Sequence, residues 1–153
     1  MGEGRLADRV AIATGAAHGI GRAICVGLAR EGASVWACDI LADELDETRR
    51  ATDRVVRGAC RAHVVDATDS ARVASFVGEV LAADGRVDIL VNTAGGVAGQ
   101  SMRPIEVVSD ADWHRIFAIN LDAAFHFTHA VASSMKERRR GSIVNISSGA
   151  GRS

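Results

Sequence analysis

Short unbroken apolar runs alternate along the chain with longer stretches in which apolar residues recur every third or fourth position. That is the pattern of strands buried on both faces, interleaved with helices that each lay one face on a sheet. The segment Val10 to Gly21, VAIATGAAHGIG, reads as a strand, a tight turn and a helix N-terminus, and the helix repeats apolar residues at Ile20, Ala23, Ile24, Gly27 and Leu28. Glu31, Gly32 and Ala33 stop it, and Ser34 to Cys38 reads as a second strand ending at Asp39. A stripe at Leu41, Leu45, Thr48, Thr52 and Val55 marks the next helix. Ala59 to Val65 is a third strand, followed by Asp66 and by a helix carried on Val73, Phe76, Val77, Val80 and Leu81. Val87 to Val91 is a fourth strand, too apolar to face water on either side. Gly96 to Val108 holds the single proline, Pro104, and reads as a flexible loop. Asp110 to Lys136 is the longest helix candidate, its apolar stripe running Trp113, Phe117, Leu121, Ala124, Thr128, Val131 and Met135. Gly141 ends it, and Ser142 to Ser147 gives a fifth strand that runs into Ser148 and the small-residue turn Gly149, Ala150, Gly151.

A length of 153 residues suits one domain, 1–153, with a real core, and 48% hydrophobic with 24% charged residues is ordinary for a globular chain. The net charge of −1, with arginines and acids interspersed, offers no broad basic face for nucleic acid or an anionic membrane. The longest charge run, Lys136 to Arg140, reads as a solvated helix end where cations suit the helix dipole. Cys25, Cys38 and Cys60 lie far apart without metal-ligand spacing and read as small buried hydrophobes in a reducing compartment. His126 and His129 stand three apart on a helix with no carboxylate to complete a metal site, which favours a surface or packing role. The N-terminus lacks an apolar signal region and no run approaches the ~20 residues of a membrane span, so the cytoplasm is the expected location.

Candidate chemistry gathers where strands end. Gly15, Gly19 and Gly21 sit where a side chain would block the turn, the close approach of a pyrophosphate or the packing of helix on strand. An ordinary glycine-rich turn is the alternative. Asp39 falls 18 residues beyond Gly21, at the tip of the second strand. An acid there accepts hydrogen bonds from adenosine ribose hydroxyls and repels a 2′-phosphate, which favours NAD over NADP. The alternative for Asp39 is a helix N-cap, and it could fill both roles; Asp66 could also cap the helix that Thr68 or Asp69 begins. Asn120 interrupts an apolar stripe, and an amide pointed into a core costs about 1 to 3 kcal/mol if unsatisfied, so it should have a specific partner. Ser148 stands at a strand tip, where a plain turn serine is the alternative reading.

The glycines fall as TGxxxGxG, and this spacing resembles the short-chain dehydrogenase/reductase family. Four further segments resemble it in order. VVDATD is similar to the family's DVTD, which implies that Asp66 and the Ala67 N–H hold the adenine edge. Asn92-Thr93-Ala94-Gly95 resembles NNAG, with threonine for the second Asn; Asn92 would tie strands together, and the ribose would pass the small Ala94 and Gly95. FAINL places Asn120 at the helix Asn that steadies a water beside the catalytic lysine, and ISSGAG places Ser148 at the catalytic serine. His18 stands where NADP-using relatives often carry Arg or Lys, in agreement with NAD, and Ile20 completes the cofactor-binding set.

The resemblance implies an α/β Rossmann fold, a doubly wound parallel sheet in the order 3-2-1-4-5 with helices on both faces. Its C-terminal strands would be missing, and Ser142 to Ser147 would be an exposed apolar edge. It also implies hydride transfer between nicotinamide and a secondary alcohol or ketone, with a homo-oligomeric full-length form. The family's YxxxK acid/base pair is absent: the chain has no tyrosine, and its lysine, Lys136, lies at the wrong end of a helix. His114, His126 and His129 do not sit at a strand tip. The expectation is therefore an N-terminal cofactor-binding portion that turns over no substrate alone. The alternatives are a non-catalytic NAD-binding module and an oligomerisation fragment pairing its open edge or long helix with another chain.

Overall fold

Every residue of β1 (Val10–Thr14) is buried, because the strand lies at the centre of a sheet covered on both faces. The computed structural model describes residues 4–54 and 58–149, so Val55 of the second helical stripe and the Ala150 to Gly151 turn lie outside the described residues. The other strands are β2 (Ser34–Asp39), β3 (Ala59–Val64), β4 (Ile89–Asn92) and β5 (Ser142–Asn145). They form one sheet in the order β3-β2-β1-β4-β5, each neighbouring pair parallel, with Ile12 level with Trp36 on one side and Leu90 on the other. The fold is the doubly wound α/β arrangement read from the sequence.

Alternate strand residues feed two cores. Ala11, Ala13, Val35 and Ala37 meet Cys25 and Ala29 of α1 (Gly19–Arg30) and Leu45 of α2 (Ala42–Asp53). On the opposite face Ile12, Trp36 and Leu90 meet Phe76 and Val77 of α3 (Ser70–Asp84) together with Phe127 and Val131 of α5 (Ala123–Glu137). The alanines let α1 approach the sheet closely, whereas the second face is filled by aromatic rings, Phe76 standing edge-on to Trp36 and Phe127 with centroids 6.1 and 6.2 Å away. All three cysteines are buried free thiols, as their spacing suggested. Burial pushes the Cys25 thiol up to about 12 and Cys38 well above its ordinary value, so neither offers a thiolate.

Four details differ from the periodicity. The buried face of α1 is centred on Gly21, Cys25 and Ala29, so Ile20, Ala23 and Gly27 face outward: close packing selects the small residues. The helix expected over Asp110 to Lys136 is two helices, α4 (Asp110–Phe117) and α5, joined by a π-helical turn over Ala118–Asp122. The wider turn advances the register, so α5 buries Ala123, Phe127, Val131 and Met135, while Trp113, Phe117 and Leu121 of the expected core stripe are exposed. Strand ends shift by one or two residues: β3 ends at Val64, β4 starts at Ile89 and β5 ends at Asn145, all four β5 residues being exposed. The Lys136 to Arg140 run is not wholly solvated, since Arg138 turns inward to Asp88.

That contact belongs to a clamp below the N-terminal ends of the strands. Asp88 is 4% exposed. Its carboxylate accepts from Arg138 Nη2 at 2.8 Å and the Val10 amide at 3.0 Å, and Arg86 Nε and Arg9 Nη1 stand 3.2 and 3.9 Å away. Burial works to raise its pKa, but Arg138, the Val10 amide and the Arg86 charge outweigh burial and hold it below the ordinary range.

Candidate functional site

The opposite, C-terminal ends of the strands open onto a cavity of about 360 Å³. It lies where the sheet order turns from β2 to β4 on either side of β1, the switch point at which doubly wound sheets bind ligands. Gly15, His18, Ile20, Gly21, Asp39 and Asp66 line it, as do Ala67, Ala94 and Gly95. The structure thus brings residues from Gly15 to Gly95 into one hollow.

The floor is the turn between β1 and α1. Gly19 has a left-handed φ of 54°, and a side chain there would meet nothing within 4 Å, so the backbone presents a bare face. A Cβ at Gly21 would overlap the Gly15 carbonyl, which is how α1 comes to start directly behind the turn. The N-cap of α1, His18, makes no side-chain capping bond, and the first turn carries no acid. By contrast, Asp69 caps α3 by accepting from the amides of Ala71 and Arg72. The donors at the head of α1 are therefore left to an outside anion, which fits a diphosphate.

Asp39, at the tip of β2, accepts the Ala17 amide on Oδ2 at 3.0 Å and the Ile40 and Leu41 amides on Oδ1 at 2.7 and 3.2 Å. It is not the N-cap of α2; Leu41 is. Three amides leave a carboxylate acceptor capacity for a hydroxyl. Ile20 and Ile40, 61% and 60% exposed, offer apolar surface at this rim. His18 reaches toward Glu44 at 4.0 Å. Asp66 bonds the Thr68 amide and hydroxyl through Oδ1 alone, while α3 is capped by Asp69, so the capping alternative for Asp66 does not hold. Among the described residues nothing bonds its Oδ2.

Four sequence candidates do not line the cavity: Gly19, within the turn itself, and three residues beside it. Asn92 is buried at 4% and donates Nδ2 to Asn145 Oδ1 at 2.8 Å, which ties β4 to β5. Asn120 is exposed, not pointed into a core; its expected partners are nevertheless present. Its Oδ1 accepts the Gly96 amide at 3.0 Å, and its Nδ2 donates to the carbonyls of Gly96 and Ile116 at 2.8 and 2.9 Å, the latter one turn back in α4. Ser148 is exposed three residues past β5, at the same end of the sheet as Asp39, and does not line the cavity; Ile146 does.

Two contributors were missed. The Thr14 hydroxyl accepts the amides of Thr93 and Ala94, both at 3.0 Å, joining the tips of β1 and β4; a lone polar residue closing a buried strand was the available signal. His126 of α5 holds the packing role its spacing allowed, but its contact was missed: its Nδ1 lies 3.2 Å from the Ala67 carbonyl, behind the cavity wall. No group of three or more metal-ligating side chains occurs among the described residues, and no described helix is long and apolar enough to cross a membrane.

A family model described as short chain dehydrogenase matches residues 9–153. The cyclopentanol dehydrogenase of Comamonas sp. (strain NCIMB 9872) is 37% identical over 147 residues, 95% of this chain and 56% of that protein. A metagenomic short-chain oxidoreductase crystallised in complex with NADP superposes with a TM-score of 0.88 at 38% identity, over 97% of this chain and 66% of that one. An NAD+-bound xylitol dehydrogenase gives 0.89 at 30% identity, over 97% and 56%. The chain spans about half the length of the curated relatives it matches.

Proposed function

Because this chain belongs to the short chain dehydrogenase family, we propose that it is a single NAD-binding unit, residues 1–153, of an oxidoreductase acting on a small secondary alcohol or ketone. The cofactor would supply the hydride donor or acceptor. The observation that carries the reading is the shared wall of one cavity: the open head of α1 for a diphosphate, Asp39 for a ribose, and Asp66 with Ala67 for the adenine edge. Gly15, His18, Gly19, Ile20 and Gly21 would bound the diphosphate, Asn92 would brace the strands below, and Ala94 and Gly95 would leave room for the second ribose.

Solved neighbours carry NAD or NADP, so selectivity rests on this chain's own residues. Asp39 carries a charge that repels a 2′-phosphate, and Glu44 beside His18 adds to it. Ser148 would hydrogen-bond the substrate oxygen as charge develops there, and Asn120, held through the Gly96 backbone, would orient a water. The chain contains no tyrosine, and we propose that the 153-residue polypeptide alone turns over no alcohol. Its three free, buried thiols suit a reducing cytoplasm.

The experiment is a binding titration of NADH and NADPH against the chain and its Asp39→Asn variant. Tighter binding of NADH, with the preference reduced about tenfold or more in the variant, is expected; an unchanged ratio would leave Asp39 only a brace for the turn. A second reading has its own observation: Trp113, Phe117, Leu121 and Phe125 are 49%, 38%, 57% and 62% exposed, an apolar surface suited to self-association. Light scattering that shows mass rising with concentration would support it.

A further inference from the structure

The turn that carries the open amides is braced from behind by another helix. Thr48 of α2 is fully buried although polar, and its hydroxyl lies 2.8 Å from the Ala16 carbonyl. Arg22, one turn into α1, sends Nε to the Thr48 hydroxyl at 3.0 Å and to the Ala17 carbonyl at 3.1 Å. Its Nη2 also bonds the Ala17 carbonyl and continues to the Glu44 carbonyl and the Glu47 carboxylate, each at 3.0 Å. A hydroxyl has one proton to give and lone pairs to receive, so Thr48 both accepts from Arg22 and donates to the turn. The two peptide groups flanking the Ala17 Cα are thus each held, the Ala17 N–H on Asp39 and the Ala17 carbonyl on Arg22.

We propose that Arg22 and Thr48 are positioning residues for the diphosphate turn, holding the Ala16 to Gly19 backbone in its anion-receiving shape before any ligand arrives. Neither side chain lines the cavity, so each acts through the backbone it grips. The physical need is specific to this turn. A helix head left uncapped to receive an anion has no side chain of its own fixing the approach of the chain, and an unbraced loop would have to be ordered at the ligand's expense. Donors aimed in advance avoid that ordering cost. The brace also joins the diphosphate turn to α2, which begins just after the Ile40 and Leu41 amides that Asp39 holds.

The inference rests on the proposed cofactor reading, and the test separates the two. Amide hydrogen exchange of the Ala16 and Ala17 amides, which bond the Cys38 carbonyl and the Asp39 carboxylate, reports the brace directly in the ligand-free chain; NADH titration reports its consequence. Thr48→Val keeps the shape and burial but loses the hydroxyl, Thr48→Ser restores it, and Arg22→Lys keeps the charge but loses the fork at a less buried position. Thr48→Val and Arg22→Lys are expected to speed exchange at these amides at least tenfold and to raise the NADH Kd about tenfold. Weak adenosine binding followed by NMR should stay within twofold, and Thr48→Ser should behave as the parent. Unchanged exchange, or an NADH Kd within twofold for both variants, overturns the proposal. If the parent chain binds neither NADH nor NADPH, the cofactor reading falls, and exchange alone decides whether the brace exists.

Discussion

The two ends of the sheet both hold carboxylates, and they use them in opposite ways. At the C-terminal mouth, Asp39 and Asp66 are satisfied by backbone amides and a hydroxyl and keep acceptor capacity beside an open cavity. At the N-terminal base, Asp88 is ringed by Arg138, Arg86 and Arg9, and Asp84 takes Trp36 Nε1 at 2.7 Å and Arg61 Nη1 at 2.9 Å. Cationic partners close a carboxylate, while backbone amides fix it in place and leave it uncharged neighbours. The base therefore ties elements of the fold together, and the mouth keeps acceptor capacity beside the cavity.

The sharpest way to break that contrast is to remove the charge at the base. Asp88→Asn leaves three arginines facing a neutral amide in a site where the Asp88 side chain is 3% exposed. Losing one member of a buried ion cluster is expected to cost about 3 kcal/mol. Urea unfolding should show that loss while NADH affinity of the folded chain stays within twofold; an affinity that falls in proportion to stability would mean the two ends are not separable.

A smaller stability effect with a larger binding effect is expected at the mouth. Gly21→Ala puts a methyl onto the Gly15 carbonyl, and α1 must shift to admit it. Overpacking of this kind costs about 1 to 3 kcal/mol. The displaced helix head should bind NADH at least tenfold more weakly. Equal affinity with reduced stability would show that the head of α1 is not where the diphosphate sits.

Titration perturbs the base more gently than substitution. Burial works against the charged forms of Asp88 and Asp84, but their arginine and Trp36 partners prevail and hold both pKa values below the ordinary 3.8. A depressed carboxyl binds fewer protons folded than unfolded, so its stabilisation is whole above 3.8 and is lost as pH falls through the folded value. Urea midpoints measured from pH 5 downward should decline in the parent chain, and less steeply in Asp88→Asn. Parallel slopes would show that Asp88 contributes nothing to acid sensitivity.

The mouth was more legible in the sequence than the base, for a physical reason. Glycine spacing and acids at strand tips are local signals, because a turn, a strand end and the next helix are contiguous in the chain. Gly15 to Gly21, Asp39 and Asp66 could each be picked out from a few neighbours. The base clamp joins Arg9, Asp88 and Arg138, and no spacing rule links residues so far apart; Arg138 therefore looked like part of a solvated run. The same limit applied to Arg22, Thr48 and His126, whose partners come from other elements. Helix faces failed for a different reason. One residue of extra turn at Ala118–Asp122 is enough to carry Trp113, Phe117 and Leu121 from an expected core to the surface, and nothing in a periodic pattern announces a π-helical turn.

The smallest expected effect lies at the edge of the base, where the contrast between closed and open carboxylates should fade with exposure. Arg61 lies over the Trp36 ring at 4.7 Å and pairs with Asp84, but its side chain is 44% exposed. Water screens a pair of that kind, and a cation over an indole at an exposed site is worth about 0.5 to 1 kcal/mol. Asp84 would keep Trp36 and Ser34 as donors in Arg61→Ala, so its carboxylate would not be stranded. Arg61→Ala should therefore lower stability by less than about 1 kcal/mol. NADH affinity should be unchanged, because β3 is the edge strand and Arg61 does not line the cavity. A loss as large as that of Asp88→Asn would show that partner number, and not burial, sets what a base carboxylate contributes.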